Sequence, residues 1–135
     1  MFSWKRPGNL GACEGRLAPC KRTPNCVSSQ ADPGDHRHYI EPLVFQGAPA
    51  VAIAALQRVI EAAPGARIVR ATPDYLYAEF RSRVMRFVDD VEFALDPAGG
   101  RIHVRSAARL GIRDFGVNRA RVESLRRALE AALRR

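Results

Sequence analysis

The stretch from Arg67 to Ala108 constrains this chain more than any other. It holds four runs with the period-two alternation of a pleated strand: Arg67–Ala71, Tyr75–Ser82, Val84–Leu95 and Arg101–Ala108. Thr72-Pro73-Asp74 and Asp96-Pro97-Ala98-Gly99-Gly100 supply turn chemistry between them. Links this short return the chain antiparallel, because a parallel return needs a crossover of about a dozen residues. The sequence is therefore committed to an antiparallel sheet.

Alternation assigns the two faces. Leu76, Ala78 and Phe80 oppose Tyr77, Glu79 and Arg81. Met85, Phe87, Val91, Phe93 and Leu95 oppose Arg86, Val88, Asp90 and Glu92, while Ile102, Val104 and Ser106 oppose His103, Arg105 and Arg109. One face is apolar and the other charged.

Two amphipathic helices fit the apolar face. Ala48–Ala63 carries Ala52, Ala55, Leu56, Val59, Ile60 and Ala63 at three-four spacing, with Pro49 in the first turn and Pro64-Gly65 as the stop. Arg119–Arg134 carries Val122, Leu125, Leu129, Ala132 and Leu133, with Asn118 as the expected N-cap. His38–Phe45 reads as a first extended segment, weakened by Pro42. The order β-α-β-β-β-β-α predicts an α+β domain: a sheet of four to five strands with both helices on one face, a TBP-like or helix-grip-like arrangement. Residues 1–37 show no period and are expected to form an irregular arm on a domain spanning 38–135, anchored by Leu10, Leu17 and Val27.

Composition narrows the function. The 135 residues suit one folding unit, and 47% hydrophobic with 27% charged residues is not a disordered chain. No apolar run approaches the roughly 20 residues of a membrane-spanning helix, and the opening Met1–Pro7 has no apolar core of a secretory signal. The expectation is a cytoplasmic protein. The net charge of +8 rests almost wholly on arginine, since only Lys5 and Lys21 are lysines. Scattered arginines without a helix-turn-helix or RNA-binding signature argue against nucleic acid. An acidic small ligand or protein partner suits them better.

Four ordered motifs carry a resemblance. They are Leu17-Ala18-Pro19-Cys20 with Pro24-Asn25-Cys26-Val27-Ser28-Ser29; Tyr77–Ser82; Arg86–Phe93; and Val104–Gly111 followed by Asp114, Gly116-Val117-Asn118-Arg119 and Arg121-Val122-Glu123. The chain from about Leu10 onward resembles the bacterial and plastid family known as domain of unknown function 1499. Ala108 departs from the small polar residue usual there, and the membrane or export segment that several relatives carry at their N-terminus has no counterpart. The resemblance implies no established activity.

The candidate sites follow from the faces. Asp89 falls among Met85, Phe87, Val91 and Phe93 on the apolar side, where a carboxylate needs a partner. Arg105, Arg109, Arg119 or amides of the 110–118 loop are the expected ones, against a plain structural pair or an outward bulge. The start of the last helix gathers Arg113, Asp114, Asn118, Arg119 and Arg121, able to hold an anion or simply to cap. Asn25 and Ser28 flank Cys26, the weak candidate nucleophile, with His36, His38 and His103 as the histidines available. Cys13, Cys20 and Cys26 lack the spacing of a redox pair or zinc site, so free thiols are expected, with a local disulfide sterically allowed. Asp89, Asp90, Glu92 and Asp114 split across both strand faces and do not make a metal site; Asp90 and Glu92 are expected to pair across strands with Arg81, Arg105 or His103. No cofactor is expected. The leading expectation is a non-enzymatic module that binds an acidic ligand through Arg105, Arg109 and Arg119, oriented by Asp89. The alternatives are a cysteine-dependent hydrolase or transferase using Cys26, and a charged sheet face that docks a protein.

Overall fold

The computed structural model describes residues 5–82, 87–111 and 114–134. Its elements are β1 (Cys26–Ser28), β2 (Leu43–Val44), α1 (Pro49–Ala62), β3 (Ala66–Thr72), β4 (Tyr75–Arg81), β5 (Val88–Leu95), β6 (Arg101–Ala108) and α2 (Val117–Leu133). The α+β class stands. The antiparallel sheet has six strands in the order β1-β6-β5-β4-β3, and β2 shares the outer edge of β6 with β1.

The β3–β6 meander follows the turn chemistry. Asp96 closes the last hairpin, accepting the Ala98 N–H at 2.9 Å, while its own N–H donates to the Arg101 carbonyl at 2.9 Å. Pro49 opens α1, and Gly65 after it sits at φ +75°. Gly65 is required there, because a Cβ would collide with the Arg81 carbonyl across the β3–β4 edge.

Leu76, Ala78, Phe80, Val91, Phe93, Ile102 and Val104 face Ile53, Leu56 and Ile60 of α1 and Val122, Leu125 and Leu129 of α2 in one core. Both helices therefore cover one face of the sheet, and the alternation in the sequence selected that face.

Three details differ from the sequence expectation. The segment read as irregular supplies β1, which pairs with β6 in the register Cys26↔Ala107, Val27↔Ser106 and Ser28↔Arg105. His38–Phe45 is a strand only at Leu43–Val44, because Pro42 withholds an amide from the ladder. Phe87, assigned to the apolar face, precedes β5 and is 49% exposed. The expectations for Val84, Met85, Arg86 and Arg113 fall outside the described residues.

Candidate functional site

Asp89 and Asp90 are neighbours in sequence and point to opposite faces of β5. Asp89 shares the helix side with Val91 and Phe93 and lies opposite Phe80 and Ala108. It is buried and meets a guanidinium, but that of Arg121, at 2.8 Å. This corrects the expected choice of Arg105, Arg109 or Arg119. The signal was in the helix stripe: Arg121 lies three residues after Asn118 and four before Leu125, so it projects from the sheet-facing side of α2. Its guanidinium also lies 4.9 Å from the centre of the Phe80 ring and donates to Asn118 Oδ1 at 2.9 Å. Burial raises the Asp89 carboxyl above its ordinary range, and Arg121 offsets this only in part.

Asn118 is not the N-cap. Gly116 holds that position in the left-handed region, and Asn118 lies inside the first turn, 1% exposed. Asp114 does the capping, accepting from the Gly116 N–H at 3.0 Å and the Asn118 N–H at 3.1 Å. The Asn118 side chain donates to Asp114 at 2.7 Å and to the Asn25 carbonyl at 3.3 Å, and it accepts from Ser106 Oγ at 2.5 Å. Asn25 in turn donates to the Gly111 carbonyl at 2.7 Å. These residues lock the last loop, β1 and α2 together at one end of the sheet.

The charged face is not open. Residues 5–18 of the arm lie across it. Asp90 and Glu92 are at most 1% exposed. Arg109 grips Asp90 at 2.6 Å and Glu79 at 2.9 Å, Arg6 reaches Glu79 at 2.8 Å, and Tyr77 donates to Asp90 at 2.5 Å. Tyr75 donates to Glu92, and the Gly11 N–H does so at 2.7 Å. The hydrogen bond to Asp90 raises the Arg109 pKa above its usual value. Burial works against ionised Glu79, yet Arg109 and Arg6 hold it below the usual carboxylate range. The expected pairing of Glu92 with Arg105 is present at 3.7 Å, whereas Asp90 pairs with Arg109 instead. A charged face free to dock a partner is therefore overturned by the arm that covers it.

Arg105 and its partner Glu92 are the loose pair in this network, and Glu92 Oε1 has no hydrogen-bond partner among the described residues. Arg105 is the looser half. It is 5% exposed, reaches Glu92 only at 3.7 Å and the Pro19 carbonyl at 3.5 Å, and its Nε has no partner among the described residues. Burial lowers its pKa, with Glu92 opposing the shift. Arg105 lines a cleft of about 340 Å³ with Arg109 and Asp90 from the sheet and Lys21, Thr23, Asn25 and Cys26 from the arm.

Cys26 is joined to Cys20 in a disulfide, and Cys13 is free and exposed. The expectation of free thiols is corrected for this pair, and Cys26 has no thiol to act as nucleophile while the bond stands. Ser28 Oγ accepts the Gln30 N–H at 3.1 Å, which fixes a turn. Arg119 donates to the Tyr39 carbonyl at 2.8 Å and lies away from the cleft. Ser29 Oγ, His103 Nδ1 and Asp96 form a chain, at 3.0 Å from serine to ring and 3.1 Å from His103 Nε2 to the carboxylate. Ser29 is buried and already accepts the Val104 N–H, so the chain pins β1 to the β5–β6 hairpin. Of the eight ligand candidates, then, Asn25, Arg105 and Arg109 meet at the cleft, while Asp89, Asp114 and Asn118 belong to the opposite layer.

The architecture defines a class: an α+β domain whose sheet carries helices on one face and a disulfide-bonded arm on the other. The chain belongs to the DUF1499 family, described as a protein of unknown function, whose profile matches residues 16–129. No curated protein matches it. The match begins at Arg16, so Arg6 and Gly11, which seal Glu79 and Glu92, lie outside it. Among the described residues no helix is long and apolar enough to cross a membrane.

Proposed function

We propose that this protein is a non-enzymatic module that binds a small oxyanion, a phosphate or carboxylate group, in the cleft between the arm and β6. The observation that carries the reading is the under-coordinated guanidinium of Arg105. Its neighbour Arg109 is neutralised by two carboxylates, whereas Arg105 is buried beside a cavity with an Nε that has no partner among the described residues. A buried donor without a partner costs about 1–3 kcal/mol, and an anion in the cleft would recover it. Lys21 adds a cation on the arm side. Among the described residues the lining has no large apolar side chain, which favours a compact polar group over an apolar ligand. The disulfide favours an oxidising compartment over the cytoplasm.

Calorimetric titration of the oxidised protein with phosphate, sulfate and succinate tests the reading. At least one of the three is expected to bind, and Arg105→Gln should weaken it about tenfold or more, the worth of one charge-assisted hydrogen bond. Lys21 is exposed, so Lys21→Glu leaves the fold intact and should weaken the same anion. Absence of binding by all three anions, or binding indifferent to both substitutions, overturns the proposal.

A further inference from the structure

We propose that the Cys20–Cys26 disulfide is a redox control on this cleft, an inference that rests on the anion-binding reading. The two cysteines face different surroundings. Cys26 is 2% exposed and lines the cleft with Arg105, Arg109 and Lys21. Cys20 is the more accessible half and lines a separate recess with Pro19, Gln30 and His38. An external dithiol therefore reaches Cys20 first. Its thiolate bonds to Cys20 Sγ, the Cys20–Cys26 bond breaks, and the electron pair leaves on Cys26 as a thiolate on the cationic side. The second thiol of the reductant then displaces Cys20, so the dithiol becomes a disulfide and its two protons end on the two protein thiols.

Two consequences have the same sign. The ionised fraction of reduced Cys26 and a bound anion compete for the same positive charge, so each disfavours the other. Reduction also frees the segment 20–26, which carries Lys21, Thr23 and Asn25 of the cleft wall and has strand structure only at its end. Without the bond that wall is held by hydrogen bonds, among them Asn25 to the Gly111 carbonyl, Ala108 and Asn118 to the Asn25 carbonyl, and His38 to the Thr23 carbonyl. The oxidised protein thus binds the anion more tightly, and by linkage the anion makes the disulfide harder to reduce.

The test uses the tightest of phosphate, sulfate and succinate. Its affinity is measured for the oxidised protein, for the protein reduced with dithiothreitol, and for a Cys20→Ser/Cys26→Ser variant, with circular dichroism confirming that each is folded. The midpoint potential is then read by maleimide labelling, using exposed Cys13 as the internal count. Reduction should weaken binding about tenfold, and saturating anion should then lower the midpoint potential by about 30 mV. If the double variant does not fold, the potential of the wild-type protein with and without anion decides alone. Equal affinity in both redox states, or a potential indifferent to the anion, overturns the control and leaves the anion site standing. Failure of the oxidised protein to bind any of the three overturns both.

Discussion

Replacing Arg121 by methionine isolates the pairing on the helix side of the sheet. The Asp89 carboxylate is 2.8 Å from Arg121, and their side chains are 11% and 16% exposed. Removing one member of a buried pair costs about 3–5 kcal/mol, because the other is left charged and dry. The residual exposure of both groups argues for the lower end. Loss of the Phe80 contact and of the hydrogen bond to Asn118 adds about 1–2 kcal/mol, part of which Ser106 still supplies to Asn118. The expected loss at neutral pH is about 4–5 kcal/mol, or on the order of 15 °C in Tm for a domain of this size. The pH dependence is diagnostic. Burial already raises the Asp89 pKa, and Arg121 is what opposes it. A carboxyl with a raised folded-state pKa contributes stability at pH below its unfolded value and loses it as pH rises through the folded one. Arg121→Met raises that value further, so its deficit should be large at pH 7 and shrink on the way down to pH 4 as Asp89 takes up its proton. Urea denaturation at both pH values measures this. A loss below about 1 kcal/mol, or one equal at both pH values, refutes the reasoning.

His38 gives a second pH signature. Its Nδ1 lies 2.7 Å from Asp35 and its Nε2 2.9 Å from the Thr23 carbonyl, and both acceptors require N–H, so the ring is held as imidazolium. Burial opposes that charge, but Asp35 and Thr23 raise the pKa above the usual histidine value. The stabilisation is full below about pH 6.5 and is lost as pH rises through the higher folded value; His38→Asn should flatten the fall in urea midpoint between about pH 6 and pH 9, and an unchanged slope would reject the assignment. Gly65→Ala should cost more than Gly99→Ala. Both positions have positive φ, worth about 1–2 kcal/mol, but only Gly65 meets backbone, at the Arg81 carbonyl. Equal losses in thermal denaturation would contradict that close approach.

The strands, both helices and the choice of core face were legible because each rests on a local period. Asp89 was legible for the same reason, since parity alone drives it inward. Its partner was harder to name. Alternation had already set Arg105 and Arg109 on the charged side, away from Asp89, but the seating of Arg121 of α2 against β5 is a tertiary contact that no local period announces. The arm was opaque. Arg6 to Glu79, Gly11 to Glu92 and the pairing of β1 with β6 join residues far apart in sequence, with no alternation or heptad to announce them. Cys20 and Cys26 were likewise undecided, because spacing permits a bond without requiring one.

The two faces of β5 are built by different physics, and this assigns the arm its weak point. Val88–Ala94 is buried throughout, yet one side meets an apolar core and the other meets Arg6, Arg105, Arg109 and two tyrosines. Hydrophobic burial against α1 and α2 supplies net stability to the first side. On the second, desolvation of three carboxylates nearly cancels their attraction to the arginines, so the pairs fix where the arm lies more than how firmly it is held. The apolar contribution there is small: Leu17 with Tyr75, Tyr77 and Ala94, flanked by Leu10 and Val69. Holding the arm therefore falls to β1 and to the covalent bond beside it. A loop of seven residues closed by a disulfide is worth about 2 kcal/mol through the unfolded chain. Part of what orders the arm is thus a bond that a reductant can remove.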